Sequence, residues 1–192
     1  DPGLDVDTMA LSAHKIGGLP GTGALILRHP EILPAVLLPG SQEANRRGGT
    51  QAAPGIAAFG VAADRARHDL REITRVAALR DWLEARLRSI SSNVNVLGAG
   101  APRIANTSMV AVPGVRAETA VIAFDLERVA ISAGSACSSG KVGASHVAEA
   151  MGLPADLARS GLRISIGPQT TRDEAERFVA VWERVIGRLT RS

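Results

Sequence analysis

The stretch SAHKIGGLPGTGALILRHP, residues 12–30, decides how the first part of the chain folds. It begins at the end of a weakly alternating segment, residues 8–15, which predicts a short strand that runs into a loop at Lys15. The loop GGLPGTG contains four glycines and one proline, a composition typical of turns. Residues 24–30 then predict a second strand that ends at Pro30, so we expect a hairpin-like pair.

Beyond the hairpin, the apolar pattern predicts helices and further strands. From about residue 57 to residue 87, apolar side chains recur at helical spacing, which predicts one long amphipathic helix. A helix of this length often joins two lobes, so we expect one domain over residues 1–69 and another over residues 70–192. Strand-like and helix-like segments alternate in the second domain and predict an α/β architecture. The last helix is expected to begin with a capping box formed by Thr171 and Glu174.

The composition excludes several classes of protein. The chain has 192 residues, a net charge of +3 and two lysines, and its arginines are interleaved with acids along predicted helices. With 3% aromatic residues it has no base-stacking surface, so we expect no nucleic-acid partner. No apolar run is long enough to cross a membrane, and one cysteine cannot form an internal disulfide, so we expect a cytoplasmic protein. The four histidines are scattered and predict no metal site.

Lys15 is the first candidate for chemistry, because it lies where the predicted strand ends and the glycine-rich loop begins. Lysine amines can form Schiff bases with carbonyl compounds. Ser12 and His14 are two positions apart on the predicted strand, so their side chains would share a face and could hold a phosphate. The alternative is an exposed loop lysine beside a core histidine, and this segment alone leaves both interpretations open.

Two arginine-bearing segments further along the chain suit anions. SQEANRRGGT, residues 41–50, places Arg46, Arg47 and Thr50 around two glycines, although a solvated polar loop would have the same composition. Arg163 lies in the short apolar strand predicted for SGLRISIG, where an unpaired charge would be costly. We therefore expect Arg163 to meet a carboxylate, either of a structural acid or of a substrate.

Cys137 is the only cysteine, and it lies in SAGSACSSGKVGAS, residues 132–145. All but three residues of that stretch are serine, glycine or alanine, so we expect an exposed and mobile loop. Lys141 nearby would favour the thiolate. An accessible thiol is open to oxidation, so a packing role explains this cysteine poorly, and a reactive nucleophile explains it better than a chance placement.

Together these segments resemble the cysteine desulfurases of the NifS/IscS type, which are pyridoxal-phosphate enzymes of the class V aminotransferase family. SAHKIGGLPGTGAL is similar to the family's Schiff-base lysine segment, and SQEANRRGGTQ is similar to its polar loop. SAGSACSSGKVGASHVAEAMG is similar to its active-cysteine loop, and LRISIG to its substrate-arginine strand. The resemblance implies the carboxy-terminal part of the large domain of a PLP-dependent transferase (fold type I), followed by a smaller α/β domain that carries the cysteine loop.

The resemblance also implies how the cofactor, pyridoxal 5'-phosphate (PLP), is held. Lys15 would bind PLP covalently as a Schiff base and would later move the proton on the α-carbon of the substrate. Ser12 and His14 would bind the cofactor phosphate. Thr50 would reach the phosphate held by the partner subunit, so the resemblance implies a homodimer with a shared active site.

For the substrate, the resemblance implies that Arg163 holds the carboxylate of L-cysteine. Cys137 would take the sulfur as a persulfide, release L-alanine and pass the sulfur to an acceptor, such as a scaffold protein of iron–sulfur cluster assembly. The nearest enzymatic alternatives are a selenocysteine lyase or an aminotransferase of the same family. The non-enzymatic alternative is a truncated module that dimerises or docks a sulfur acceptor.

The chain departs from the family pattern in three places and in length. GLPG stands where the family usually has Gly-Pro-Lys-Gly, Ala44 and Asn45 replace a common Arg-Gly pair, and Arg103 replaces an Asn or His. These changes are expected to alter the grip on the cofactor or the partner. Family members are roughly twice as long, and their amino-terminal half holds an aspartate for the pyridinium nitrogen and a ring-stacking histidine. We therefore expect part of a larger enzyme, or one half of a split protein, with weak or no activity of its own.

Overall fold

The chain divides after Arg71 into two compact units, residues 1–71 and 72–192. The computed structural model describes residues 5–29, 31, 40–134 and 146–191. The assignment of these units to the two predicted family domains, residues 1–69 and 70–192, stays a prediction.

A β-hairpin opens the first unit, as the sequence predicts. Strands β1 (Thr8–Ser12) and β2 (Gly23–Leu27) pair antiparallel along their whole length. The backbone N–H of Ala13 donates to the carbonyl oxygen of Thr22 at 3.0 Å and closes the connection. Gly23 allows the close approach of the strands, because a Cβ atom there would lie 2.6 Å from a carbonyl oxygen of β1.

The prediction of one continuous helix over residues 57–87 is wrong, because two α-helices meet at a 3-10 turn. The turn over Leu70–Glu72 tightens the backbone where the first unit ends. The apolar spacing continues across this break, so the sequence pattern does not register the local change from i+4 to i+3 hydrogen bonding. The helices of this part of the chain are α1 (Gln42–Asn45), α2 (Ala53–Asp69) and α3 (Ile73–Ile90).

The second unit is built on a four-stranded antiparallel sheet with the order β3-β4-β6-β5. Its core contains an aromatic cluster in which the rings of Phe124, Phe178 and Trp182 lie 5.7 to 5.9 Å apart. The strands are β3 (Asn95–Val96), β4 (Thr107–Ala111), β5 (Ser132–Ala133) and β6 (Leu162–Ser165). The helices are α4 (Ala117–Leu126), α5 (His146–Ala150), α6 (Ala155–Ala158) and α7 (Arg172–Leu189).

Helix α7 begins with the predicted capping box. The hydroxyl of Thr171 accepts a hydrogen bond from the backbone N–H of Glu174 at 3.2 Å, and the Glu174 carboxylate accepts one from the backbone N–H of Thr171 at 2.8 Å. Two backbone donors that would otherwise be unpaired are thereby satisfied, which stabilises the start of the helix. The helix then presents Trp182 and its other apolar side chains to the core.

An ion pair between buried Glu84 on α3 and part-buried Arg103, which precedes β4, lies in the second unit. Arg103 donates to the two carboxylate oxygens of Glu84 at 2.7 and 2.9 Å, and the Ser108 hydroxyl donates to Oε1 at 2.7 Å. Burial raises the pKa of Glu84, but the hydrogen bonds from Arg103 and Ser108 and the charge of Arg103 outweigh it and hold the pKa below its ordinary value of 4.5. Arg103 stands where the family usually has Asn or His, and its guanidinium is paired with Glu84 of the same unit.

Acid is expected to weaken the second unit through Glu84. Since the pKa of Glu84 is lower in the folded state, the unfolded chain takes up the proton first as the pH falls. The stabilisation is therefore complete above about pH 4.5 and is lost as the pH falls through the lower folded-state pKa. Urea unfolding between about pH 3 and pH 7 should show a steeper acid loss for the wild-type chain than for Glu84→Gln.

The matched control for this experiment is Glu118→Gln, which changes an exposed carboxylate on α4 of the same unit. We expect it to keep the acid dependence of the wild-type chain. Equal acid slopes for Glu84→Gln and the wild-type chain would contradict the stabilising role of the ionised carboxylate.

Candidate cofactor and substrate site

Ala13 anchors the turn that presents Lys15. Its side chain is fully buried, and its carbonyl oxygen accepts hydrogen bonds from the backbone N–H groups of Ile16 at 3.1 Å and Gly18 at 2.9 Å. These bonds wind residues 13–15 into a 3-10 turn directly after β1. The Lys15 side chain leaves this fixed turn on the exposed side of the backbone.

The structure corrects the expected relation between Ser12 and His14. Ser12 is the last residue of β1, whereas His14 belongs to the 3-10 turn, so the two do not share a strand face. His14 is exposed and is therefore not a core histidine. Within the described part of the chain, the side chains of Ser12, His14 and Lys15 have no hydrogen-bond or ion-pair partner, so a hydroxyl, an imidazole and an amine are available for a ligand.

In the polar loop before α2, the guanidinium of Arg47 is hydrogen-bonded within the loop itself. Arg47 donates to the carboxylate of Glu43 at 2.9 Å and to the carbonyl oxygens of Gly48 and Gly49 at 3.3 Å. Thr50 is exposed and has no hydrogen-bond partner among the residues that the structure describes. The candidate anion ligand in this loop is therefore the hydroxyl of Thr50 rather than the guanidinium of Arg47.

The residues that replace the family's Arg-Gly pair lie in an unusual backbone conformation. Glu43, Ala44 and Asn45 have φ angles of 52°, 56° and 63°, in the left-handed region. Asparagine tolerates this region, but alanine and glutamate are strained there at a cost of roughly 1–2 kcal/mol each. The expected effect of Ala44 and Asn45 on the grip of the cofactor or partner stays a prediction.

Helix α2 packs closely against the hairpin connection. A Cβ atom at Gly55 would overlap the hydroxyl of Thr22, so a larger residue there would displace the Thr22 side chain. Thr22 lies in the connection that follows Lys15, and α2 begins three residues after Thr50. The contact therefore brings together, within the first unit, the two segments that carry the candidate cofactor ligands.

Arg163 lies at the centre of strand β6 in the second unit. Its register partners are Met109 on β4 and Ser132 on β5. Its neighbours Leu162 and Ile164 are buried in the core, so alternation along the strand directs Arg163 to the opposite face, where it is half-buried.

No structural acid pairs with Arg163 in the described residues. Every aspartate and glutamate of the chain except Asp1 lies within them, and none forms an ion pair with this guanidinium. That Arg163 binds the carboxylate of a substrate stays a prediction.

The predicted nucleophile Cys137, the neighbouring Lys141 and the predicted mobile loop lie outside the described residues. The described chain leads toward them from β5, where the backbone N–H of Gly134 donates to the carbonyl oxygen of Gly161 at 3.2 Å. Because β5 pairs with β6, the segment that carries Cys137 starts from the strand next to Arg163.

Among the described residues, no three His, Cys, Asp or Glu side chains come together as a metal site would require. No helix in the same ranges combines the length and the apolar character needed to cross a bilayer.

Residues 2–178 match the family described as aminotransferase class-V. The chain belongs to the aminotransferase class-V family. The match covers both units, and it includes Ser12, His14, Lys15, Thr50 and Arg163.

Named members of the class-V family resemble the chain in sequence. A cysteine desulfurase of Gluconacetobacter diazotrophicus is 38% identical over 186 residues, which are 96% of this chain and 46% of that protein. A cysteine desulfurase IscS of Dictyoglomus turgidum is 35% identical over 187 residues, 97% of this chain and 48% of that protein. The chain spans about half the length of the curated relatives that it matches.

A solved structure of a NifS-like protein confirms the predicted fold. The X-ray structure of a NifS-like protein from Rickettsia africae superposes with a TM-score of 0.81 at 31% identity, over 95% of this chain and 48% of that chain. The α/β fold is therefore that of a fold type I transferase, as the sequence resemblance implies.

Proposed function

We propose that the native polypeptide carrying these residues is a PLP-dependent cysteine desulfurase that converts L-cysteine to L-alanine and retains the sulfur on Cys137. The observation that carries this proposal is the exposed Lys15 in the 3-10 turn after β1 of a class-V chain. Like Ser12 and His14 beside it in sequence, its side chain has no hydrogen-bond or ion-pair partner among the residues that the structure describes. The identity of 34–38% to proteins named cysteine desulfurase supports the choice of reaction within the family.

The donor set of the first unit fits PLP. Lys15 offers an amine for the aldehyde, and Ser12 and His14 offer a hydroxyl and an imidazole for the phosphate. Thr50 offers a second hydroxyl, which we assign to the phosphate bound by the partner subunit of a homodimer. When bound, PLP supplies an electron sink for charge that develops at the α-carbon of the substrate.

In this proposal Arg163 and Lys15 divide the handling of the substrate. The guanidinium of Arg163 binds the carboxylate of L-cysteine with paired hydrogen bonds, which fixes the orientation of the α-carbon. The amine of Lys15, freed when the substrate amine is bound, takes the α-proton and later returns a proton to the product.

Cys137 performs the sulfur step. Its thiolate sulfur attacks the sulfur of the substrate, and a sulfur–sulfur bond forms while the bond between that sulfur and the substrate Cβ breaks. The electron pair of the broken bond stays on the carbon skeleton, which takes up a proton at Cβ and leaves as L-alanine. The transferred sulfur is held as a persulfide and passes to an acceptor thiol, which we propose belongs to a scaffold of iron–sulfur cluster assembly in the cytoplasm.

Cys137→Ala separates this reaction from the other reactions of the class-V family. With L-cysteine and dithiothreitol, we expect the native polypeptide to release equal amounts of alanine and sulfide, and the variant to lose about 100-fold or more of this rate. Borohydride in the presence of PLP should still fix a pyridoxyl group on Lys15 in the variant.

The outcomes of the Cys137→Ala experiment are distinct. Full activity of the variant would favour a selenocysteine lyase or an aminotransferase. A wild-type polypeptide that traps PLP but releases no alanine would reject the desulfurase proposal, and one that traps no PLP would favour a module that only docks or dimerises.

Arg163→Ala should weaken the binding of the substrate far more than the chemical step. Loss of the charged hydrogen bonds to the carboxylate is expected to raise KM for L-cysteine about 10- to 100-fold. Steady-state kinetics on the native polypeptide measures this change, and Arg163→Lys should recover part of it because the charge is kept.

Arg159→Ala is the matched control, because it removes an exposed guanidinium of the same unit that has no hydrogen-bond or ion-pair partner among the described residues. It should leave KM unchanged. An equal rise in KM for Arg159→Ala and Arg163→Ala would contradict a specific role for Arg163.

A further inference from the structure

The polar loop over residues 40–50 closes on itself through two of its glycines. A Cβ atom at Gly40 would lie 2.7 Å from the Cα atom of Gly48, so the two backbones approach more closely than a side chain at residue 40 would allow. Gly48 is buried, whereas residues 43–46 between these glycines are exposed. The loop is therefore a ring whose two ends are in contact.

The guanidinium of Arg47 stabilises the chain where it leaves this ring. Nη2 donates to the carboxylate of Glu43 at 2.9 Å, and Nη1 donates to the carbonyl oxygens of Gly48 and Gly49, each at 3.3 Å. Gly49 has a φ angle of 97°, which glycine adopts without strain. Because the two carbonyls belong to consecutive residues, the guanidinium fixes the course of the backbone immediately before Thr50.

The backbone before Arg47 has a conformation that needs support from other contacts. Glu43, Ala44 and Asn45 have positive φ angles, between 52° and 63°. Residues with side chains rarely adopt this region, and such conformations persist only where the surrounding structure imposes them. The backbone N–H of Arg46 donates to the Glu43 carbonyl oxygen at 3.2 Å, and the Arg47 side chain reaches back to the Glu43 carboxylate. The ion pair thus helps to impose the strained turn.

The chain after Thr50 is held by the start of α2. The backbone N–H of Ala53, the first residue of α2, donates to the carbonyl oxygen of Gln51 at 2.9 Å. On the other side of Thr50, the Arg47 guanidinium holds the carbonyl oxygens of the two preceding residues. Thr50 therefore lies between a fixed helix start and a segment that one guanidinium holds.

We propose that Arg47 is a positioning residue for Thr50. Its guanidinium, oriented by Glu43, holds the backbone that presents the Thr50 hydroxyl to the phosphate of PLP bound by the partner subunit. This inference rests on the proposed function, in which Thr50 binds that phosphate, and it adds a role for two side chains that act without contacting the cofactor. Such a role matters because a displacement of about 1 Å can remove most of the benefit of a placed polar group.

A double-mutant cycle of PLP affinities tests the proposal. The native polypeptide, freed of cofactor, is titrated with PLP as wild type, Arg47→Ala, Thr50→Ala and the double variant. Thr50→Ala should raise the dissociation constant about 10-fold or more, since a hydrogen bond to a charged group is lost. Arg47→Ala should raise it by nearly as much. The double variant should bind PLP no more weakly than Thr50→Ala, because both changes remove the same contact.

A conservative variant and a matched control complete the experiment. Arg47→Lys keeps the charge that pairs with Glu43 but lacks the planar fork that reaches two carbonyl oxygens, so we expect an intermediate dissociation constant. The control is Arg65→Ala, which removes an ion pair of the same i,i+4 spacing on α2, where Nε of Arg65 lies 3.1 Å from Oδ1 of Asp69. It should leave the dissociation constant unchanged.

The possible outcomes distinguish this inference from the desulfurase proposal. Wild-type PLP affinity in Arg47→Ala would overturn the inference, as would an effect that multiplies with that of Thr50→Ala, since Arg47 would then act independently of Thr50. Unchanged affinity in Thr50→Ala would reject the phosphate role of Thr50 and this inference with it. The expected pattern of affinities in a polypeptide that forms no alanine from L-cysteine would support the inference while rejecting the desulfurase reaction.

Discussion

Lys15→Ala is expected to remove both the covalent attachment of PLP and the desulfurase activity of the native polypeptide. Alanine formation from L-cysteine should fall by about 10²- to 10⁴-fold, because the variant lacks the amine that moves the α-proton. Borohydride in the presence of PLP should no longer fix a pyridoxyl group at this position. Peptide mass spectrometry and an alanine assay measure the two effects on the same sample.

Lys15→Arg is the matched variant for this experiment. It keeps a cation on the 3-10 turn after β1, but a guanidinium does not form a stable Schiff base with the cofactor. It should therefore trap no PLP, while the hairpin and its anchor Ala13 are unchanged. Undiminished alanine formation by Lys15→Ala would contradict the assignment, as would trapping of PLP on Lys141, the other lysine of the chain.

Arg103→Met is expected to destabilise the second unit by about 3–5 kcal/mol. The variant leaves the carboxylate of Glu84 buried, with the Ser108 hydroxyl as its remaining hydrogen-bond donor. The cost of an uncompensated buried charge exceeds the net value of the pair itself. Urea unfolding of the 192-residue chain, followed by the fluorescence of its two tryptophans, Trp82 and Trp182 of the second unit, measures the free energy of unfolding.

The double variant Glu84→Met/Arg103→Met distinguishes the loss of the ion pair from the cost of a buried carboxylate without its partner. Because it removes both ions and fills the space with apolar side chains, it should recover most of the stability lost in the single variant. A loss of less than about 1 kcal/mol in Arg103→Met would mean that water already solvates the carboxylate. That result would contradict the account of the pair.

Local sequence signals predicted the elements whose stabilising contacts are close in sequence. The glycine-rich connection between two short apolar runs predicted the hairpin. The hydrogen bond between Ala13 and Thr22 joins the two ends of this connection. Thr171 and Glu174 predicted the start of α7, because a capping box needs only a spacing of three residues. The alternation of strand-like and helix-like segments predicted an α/β second domain. The family resemblance added the fold type I transferase, which no single pattern in the chain determines.

Two features of the structure were not predicted. The strand was expected to continue through His14, but the buried carbonyl of Ala13 accepts two nearby N–H groups and winds the backbone into a 3-10 turn. Arg103 was noticed only as a departure from the family pattern, since its partner Glu84 lies 19 residues away along the chain. Contacts of this kind leave no periodic signal in the sequence.

The candidate site was predicted in part. The side chains of Lys15 and Arg163 have no partner within the described ranges, which agrees with ligand-binding roles, but the roles themselves came from the resemblance and stay predictions. Arg47 suited an anion by composition, whereas the structure ties it to Glu43 and to loop carbonyls. A pattern of residue types cannot distinguish a guanidinium that is available to a ligand from one that is hydrogen-bonded within its own loop.

The central claim is that Cys137 receives sulfur from L-cysteine in a site served by Lys15. The most direct measurement is the mass of the peptide containing Cys137 after the PLP-loaded native polypeptide is mixed with L-cysteine and rapidly alkylated. We predict one added sulfur atom on Cys137, removed by dithiothreitol and absent in Lys15→Ala. A PLP-loaded sample that produces alanine without sulfur on Cys137, or that carries the same sulfur when Lys15 is replaced, would contradict the claim.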